Sequence, residues 1–247
     1  MVRPYGRGGC FACAQRYSTA TRAARGQGQA RRVRRVMESI VFDVGETLTR
    51  DDRYWGSWAD WLGVPRHTLS ALVGAVVAQG RDNADAVRLV RPGIDIDAER
   101  AAKEAAGAGE QLDETDLYED VRPGLAALRD AGYGVHIAGN QTARAGTLLR
   151  GLELPADSIS TSQEWGVAKP DPAFFARALQ TAGTAPAQTL YVGDHPANDI
   201  APARAAGLRT CLIRRGPWGH LWTGDAGIPA DYRVDSILDL PDILARP

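Results

Sequence analysis

Ile40-Val41-Phe42-Asp43-Val44-Gly45-Glu46-Thr47-Leu48-Thr49 is the stretch whose reading decides what this chain folds into. It begins as an apolar, β-prone run, the mark of a strand buried on both faces, and the run ends on an aspartate. Far downstream, Leu190-Tyr191-Val192-Gly193-Asp194-His195-Pro196-Ala197-Asn198-Asp199 repeats the pattern. Ligands of open parallel sheets bind outside the carboxyl ends of the strands, so Asp43 and Asp194 are expected to meet in that crevice. Two such carboxylates make a cation site.

Outward from these segments, strand signals recur at about 38–43, 133–138, 157–160, 188–193 and 209–213, with a weaker one at 232–235. Helical periodicity fills the intervals, as at 121–131, 141–151, 172–182 and 198–206. Alternating strands and helices predict an α/β fold, a doubly wound parallel sheet. Residues 51–117 depart from the alternation and read as helical throughout. Trp55, Trp58 and Trp61 fall at i, i+3 and i+6, followed by Leu69, Leu72, Val73, Val76, Val77 and an Ala-rich segment at 97–109. These predict a small all-helical subdomain between the first and second strands, its apolar faces packed on one another and its tryptophans serving as core. The sheet domain then comprises 37–50 and 118–247.

A chain of 247 residues, 44% hydrophobic and 24% charged, is long and apolar enough for one such domain with an insertion. Its net charge of -1 hides an asymmetry. Residues 1–36 carry many arginines, including Arg31-Arg32-Val33-Arg34-Arg35, and no acidic residue, so the remainder is acidic. That argues against a nucleic-acid surface on the folded part. The first 36 residues lack hydrophobic periodicity and the apolar run of a secretory signal, and read as a disordered tail ahead of Met37. Cys10 and Cys13 form a CxxC with no second pair near them, a weak zinc signal, and Cys211 falls in a predicted strand. No stretch approaches the ~20 apolar residues that span a bilayer, and the expected location is cytoplasmic.

Between the two aspartate-ended segments lies Gly166-Val167-Ala168-Lys169-Pro170-Asp171-Pro172. Lys103 and Lys169 are the only lysines in a chain otherwise committed to arginine, which makes Lys169 conspicuous. The order is strand-Asp, a small-residue turn with Asn140, Lys-Pro, then strand-Gly-Asp-xxx-Asn-Asp. Over about residues 38–240 it resembles the haloacid dehalogenase-like hydrolase superfamily.

The resemblance implies a magnesium-dependent hydrolase acting on a small phosphorylated metabolite, with the helical insertion as a cap over the active site. Asp43 takes the place of the nucleophile, which would form an aspartyl-phosphate and split one hard hydrolysis into two easier steps. Asp194, with Asp43 and the carbonyl of Gly45, takes the place of the Mg2+ ligands, and Asp199 stands behind them or binds through water. Lys169 would compensate charge on nucleophile and phosphoryl group. Asn198 reads as an N-cap of the next helix. Phosphate binding falls to Gly139, Asn140 and Lys169, with Thr142 as a further candidate, because Gly139 stands where the family usually has Ser or Thr.

A larger departure is Gly45, where family phosphatases carry the aspartate that protonates the leaving group and activates water. Glu46, in a slot normally held by glycine, is the adjacent candidate for proton transfer. His67, His136, His195 and His220 read as structural or surface residues. Three alternatives follow from these departures: an inactive ligand-binding or interaction module, a metal-independent dehalogenase, and a phosphonate-cleaving enzyme with Lys103 as its cap lysine.

Overall fold

The computed structural model describes residues 37–245. Residues 1–36, with the tail and the CxxC, lie outside the described residues. Six strands form one all-parallel sheet: β1 (Ser39–Phe42), β2 (Gly134–Gly139), β3 (Ser158–Thr161), β4 (Thr189–Gly193), β5 (Arg209–Ile213) and β6 (Tyr232–Val234). Their order in space is β3-β2-β1-β4-β5-β6. The chain therefore winds outward from β1 in one direction, returns, and winds outward in the other. That reversal opens a crevice beside the carboxyl end of β1.

The helices are α1 (Asp52–Leu62), α2 (Arg66–Ala78), α3 (Asp85–Val90), α4 (Ile96–Ala105), α5 (Val121–Asp130), α6 (Ala143–Gly151), α7 (Ser162–Trp165), α8 (Pro172–Ala182), α9 (Ala201–Ala205), α10 (Gly216–Trp222) and α11 (Leu240–Ala245). Strand side chains alternate between two apolar layers, as a period of two requires. Ile40, Phe42, Leu190 and Val192 pack with Leu125 and Leu128 of α5 on one face. Val41 and Tyr191 pack with Phe174 and Phe175 of α8 on the other. Helices thus cover both faces of the sheet.

Helices α1 to α4 occupy the insertion between β1 and β2. Trp58, Leu69, Val73, Val76 and Val77 are buried in one cluster, while Trp55, Trp61 and Leu72 are half-buried against it. That cluster also takes in Trp218 and Trp222 of α10, from the far side of the sheet sequence. The expectation of helix throughout 51–117 is corrected: non-helical segments at 79–84 and 91–95 separate α2, α3 and α4, α4 ends at Ala105, and 106–113 is irregular. Gly107, at φ +74°, sits in the left-handed region just past the end of that helix, where glycine alone is unstrained.

A second correction concerns 198–206. The chain after β4 enters a wide π-type turn over Pro196–Ile200, with Ile200 N–H donating to His195 O at 3.4 Å, and only then α9. Such bulges cluster at functional sites. Among the described residues, no helix is long and apolar enough to cross a membrane.

Candidate active site at the ends of β1 and β4

Asp43 and Asp194 each follow immediately on the last residue of a strand, and the two strands are neighbours in register, Phe42 beside Val192. Asp43 N–H continues the ladder by donating to Val192 O at 2.9 Å. Lys169 reaches the same point from the loop before α8. Its Nζ lies 2.6 Å from Asp43 Oδ1 and 2.6 Å from Asp199 Oδ1. The rings of Phe174 and Tyr191 lie beneath it at 5.9 and 5.7 Å. All four charged groups are buried, Asp199 completely.

Two glycines permit this close packing. A Cβ at Gly139 would stand 2.6 Å from Asp43 Oδ1, and one at Gly193 would stand 2.3 Å from Asp199 Oδ2. The carboxylate of Asp43 rests against the Gly139 backbone. Asn140 spends both ends of its amide on the main chain of Lys169, with Oδ1 accepting from Lys169 N at 2.7 Å and Nδ2 donating to Lys169 O at 2.9 Å. Its side chain positions the lysine loop. Thr142 caps α6 and donates to Glu110 Oε2 at 2.6 Å. The cap of the turn after β4 is His195, whose Nδ1 accepts from Ala197 N and Asn198 N, so the expectation of Asn198 as an N-cap is corrected.

The turn between Asp43 and α1 is drawn onto one carbonyl: Val44 O accepts from the N–H groups of Thr47, Leu48 and Thr49. Glu46 sits at φ +52°, a left-handed conformation that costs a side-chain-bearing residue roughly 1–2 kcal/mol. Its carboxylate is anchored at both oxygens, by Asp51 N–H at 3.2 Å and by the Tyr118 hydroxyl. Behind the turn, buried Arg215 donates to Thr47 O at 2.6 Å, pairs with Asp120, and lies over the Tyr118 ring. Asp51, which the sequence pattern did not single out, brings its carboxylate against Gly45.

Negative charge dominates the crevice. Burial pushes Asp43 up, Lys169 pulls it back and Asp199 pushes it up again, leaving it at about 6. Burial, then repulsion from Asp199, Asp43, Glu46 and Asp51, holds Asp194 well above the usual carboxylate range. Asp51 is also held well above it, by burial and by Glu46 and Asp43. Burial opposes the charge on Lys169, but Asp199 and Asp43 outweigh it and keep the ammonium. One lysine therefore answers several carboxylates.

Oxygens of Asp43, Asp194 and Asp199 lie within 4.8 Å of one another. An all-carboxylate donor set with surplus negative charge fits a small hard cation such as Mg2+. Elsewhere, His136 is buried in β2 against Ser158 Oγ at 2.9 Å, and His67 on α2 is exposed. Cys211 is buried in β5, where burial pushes its thiol up.

A family model described as haloacid dehalogenase-like hydrolase matches residues 37–207, more than half of the chain. A glyceraldehyde 3-phosphate phosphatase of Methanopyrus kandleri is 32% identical over 130 residues, covering 51% of this chain and 56% of that protein. A phosphoglycolate phosphatase of Cupriavidus necator is 35% identical over 131 residues, covering 52% and 55%. The chain thus spans about half the length of these curated relatives. A solved structure described as a predicted phosphoglycolate phosphatase of Haemophilus somnus superposes with a TM-score of 0.64 at 22% identity, over 84% of this chain and 98% of that one. At that identity the likeness speaks for the fold.

Proposed function

The chain belongs to the haloacid dehalogenase-like hydrolases, and from that premise we propose that it is a magnesium-dependent phosphatase acting on a small phosphorylated metabolite. One observation carries this reading above all: a carboxylate at the end of β1, buried among other carboxylates and held by a single lysine. Asp43 is the nucleophile, attacking phosphorus through a carboxylate oxygen. Lys169 keeps that carboxylate ionised and offers its remaining hydrogen-bonding capacity to the phosphoryl oxygens. Asn140 holds the lysine loop, and Gly139 leaves the room in which Asp43 lies. Asp43, Asp194 and the Gly45 carbonyl would hold Mg2+, with Asp199 behind them; when bound, the ion offsets repulsion between the phosphate and the carboxylates.

The insertion, 51–117, is read as a cap over this crevice. In support, a cavity of about 820 Å³ is lined from one side by Ser57, Trp58 and Arg100 and from the other by Asn140, Gln141 and Ala168. The relatives named as phosphatases of glyceraldehyde 3-phosphate and phosphoglycolate support a substrate of similar size.

The test is turnover of an aryl phosphate by the purified chain with and without magnesium. Magnesium-dependent turnover is expected, with Asp43→Asn falling to background while keeping its melting temperature. Turnover by Asp43→Asn, or none by the wild type, would sink the reading.

A further inference from the structure

We propose that Asp51 is the proton-transfer residue of this site, its carboxyl serving from the start of α1 the position that Gly45 leaves empty. This rests on the phosphatase reading above. A Cβ built at Gly45 would lie 3.3 Å from Asp51 Oδ1, 3.5 Å from Oδ2 and 3.8 Å from Cγ. Both oxygens are nearer than the carbon that bears them, so the carboxylate points its oxygens at the vacant side-chain position.

The local backbone shows what this orientation displaces. Asp51 is the N-cap residue of α1, where an aspartate ordinarily accepts from the helix's unpaired N–H groups, yet its side chain makes no capping bond. The main chain holds the residue instead, and the Trp55 side chain donates to its carboxylate. Asp51 N–H donates to Glu46 Oε1 at 3.2 Å, and Asp51 O accepts from Trp55 N–H at 2.9 Å. Asp51 lines the cavity between insertion and core, together with Asn140 and Ala168 beside Lys169.

The carboxylate of Glu46, the adjacent alternative, is committed. Both oxygens of Glu46 are engaged, by Asp51 N–H and the Tyr118 hydroxyl. His195 uses Nδ1 on two backbone N–H groups and stacks its ring on Trp218 at 3.8 Å. Two departures from the family pattern then share one cause. Glycine at 45 makes room for the Asp51 carboxyl, and glutamate at 46 fixes the backbone from which it projects.

In the first half-reaction a bond forms between an Asp43 oxygen and phosphorus while the bond from phosphorus to the ester oxygen breaks. The electron pair passes to that oxygen, which takes the proton of Asp51 and leaves as an alcohol. In the second, water attacks phosphorus and gives its proton to the Asp51 carboxylate, and the bond to Asp43 breaks with its pair returning to that carboxylate. Ester and water become alcohol and phosphate, and both aspartates are restored.

The experiment measures steady-state kinetics of the full chain with magnesium on p-nitrophenyl phosphate, which needs little acid assistance, and on a glycerol phosphate, which needs much. Asp51→Asn should lower kcat on the glycerol phosphate by about 10²- to 10⁴-fold and on the aryl ester far less. Gly45→Asp should restore part of the lost alkyl-ester turnover in an Asp51→Ala background. Equal loss on both esters, no loss on the alkyl ester, or no rescue by Gly45→Asp would overturn the assignment while leaving the phosphatase reading intact. Failure of the wild type on both esters would instead remove that reading and this one with it.

Discussion

The sheet crevice and the helical insertion each bury one of the chain's two lysines, on opposite terms. In the crevice, Lys169 stands between Asp43 and Asp199 at 2.6 Å from each. In the insertion, Lys103 on α4 donates to Ser57 O at 2.8 Å and to Ser57 Oγ at 3.3 Å, and lies 4.9 Å from the ring centre of Trp58 and 5.8 Å from that of Trp61. Burial pulls Lys103 below its ordinary value, with Asp60 working the other way. Arginines of the insertion pair in solvent, as Arg66 does with Asp60 at 2.6 Å. A cation laid on aromatic faces and neutral oxygens is a packing device, since its stem fills core and its head finds acceptors. A cation wedged among surplus carboxylates is where chemistry is to be sought. Burial alone does not distinguish the two; the balance of charge around each does.

The strongest way to break this contrast is Lys169→Met. It leaves Asp43 and Asp199 buried with no counter-charge, so turnover should fall to background and stability by about 3–5 kcal/mol. Kinetics together with denaturant melts check both, and retained turnover would deny the crevice its special standing. Next comes Trp58→Ala, which removes a fully buried ring from the insertion and the platform under Lys103. About 3–5 kcal/mol should be lost on unfolding, with aryl-phosphate turnover retained below the melting transition.

Lys103→Met should have the smallest effect, under about 1.5 kcal/mol, since a chain of similar shape replaces a cation that has, among the described residues, no carboxylate partner within hydrogen-bond reach. It also carries a pH signature. Because the folded chain holds Lys103 below its ordinary value, the unfolded chain binds more protons in the window just under that value. The contribution of Lys103 to stability therefore rises as pH rises through that window, and Lys103→Met should lose this rise. Melting temperatures of both proteins along an alkaline series decide it. A selective loss of turnover in Lys103→Met would move the insertion's lysine into the site.

What could be read in the sequence was what depends on local pattern. The apolar runs ending at Asp43 and Asp194 marked two strand ends, and a lone Lys-Pro among arginines marked the group that meets Asp43. Asp51 was not legible, because an acidic residue ahead of a helix reads as a cap, and only the built turn shows its oxygens aimed at Gly45. Asn140 was read as a phosphate ligand, and nothing in the sequence shows an amide matched to a backbone 29 positions away. The helix after β4 was placed early because Pro196 begins a π-type turn whose capping group is an imidazole, a residue type outside the usual cap set.

Trp218 has a consequence for how this protein can be inherited. Its ring stacks on His195 beside the crevice, and its indole N–H donates to Asn83 Oδ1 in the insertion at 2.7 Å. Trp222, one turn on, donates to Val77 O at 3.4 Å. The segment from 51 to 117 is therefore incomplete as a cassette: grafted alone onto another sheet, it would arrive with the hollow that α10 fills. Recombination between relatives would have to carry 216–222 along with it, and changes at Asn83 or Val77 should be accompanied by changes at 218 and 222 in descendants of this chain.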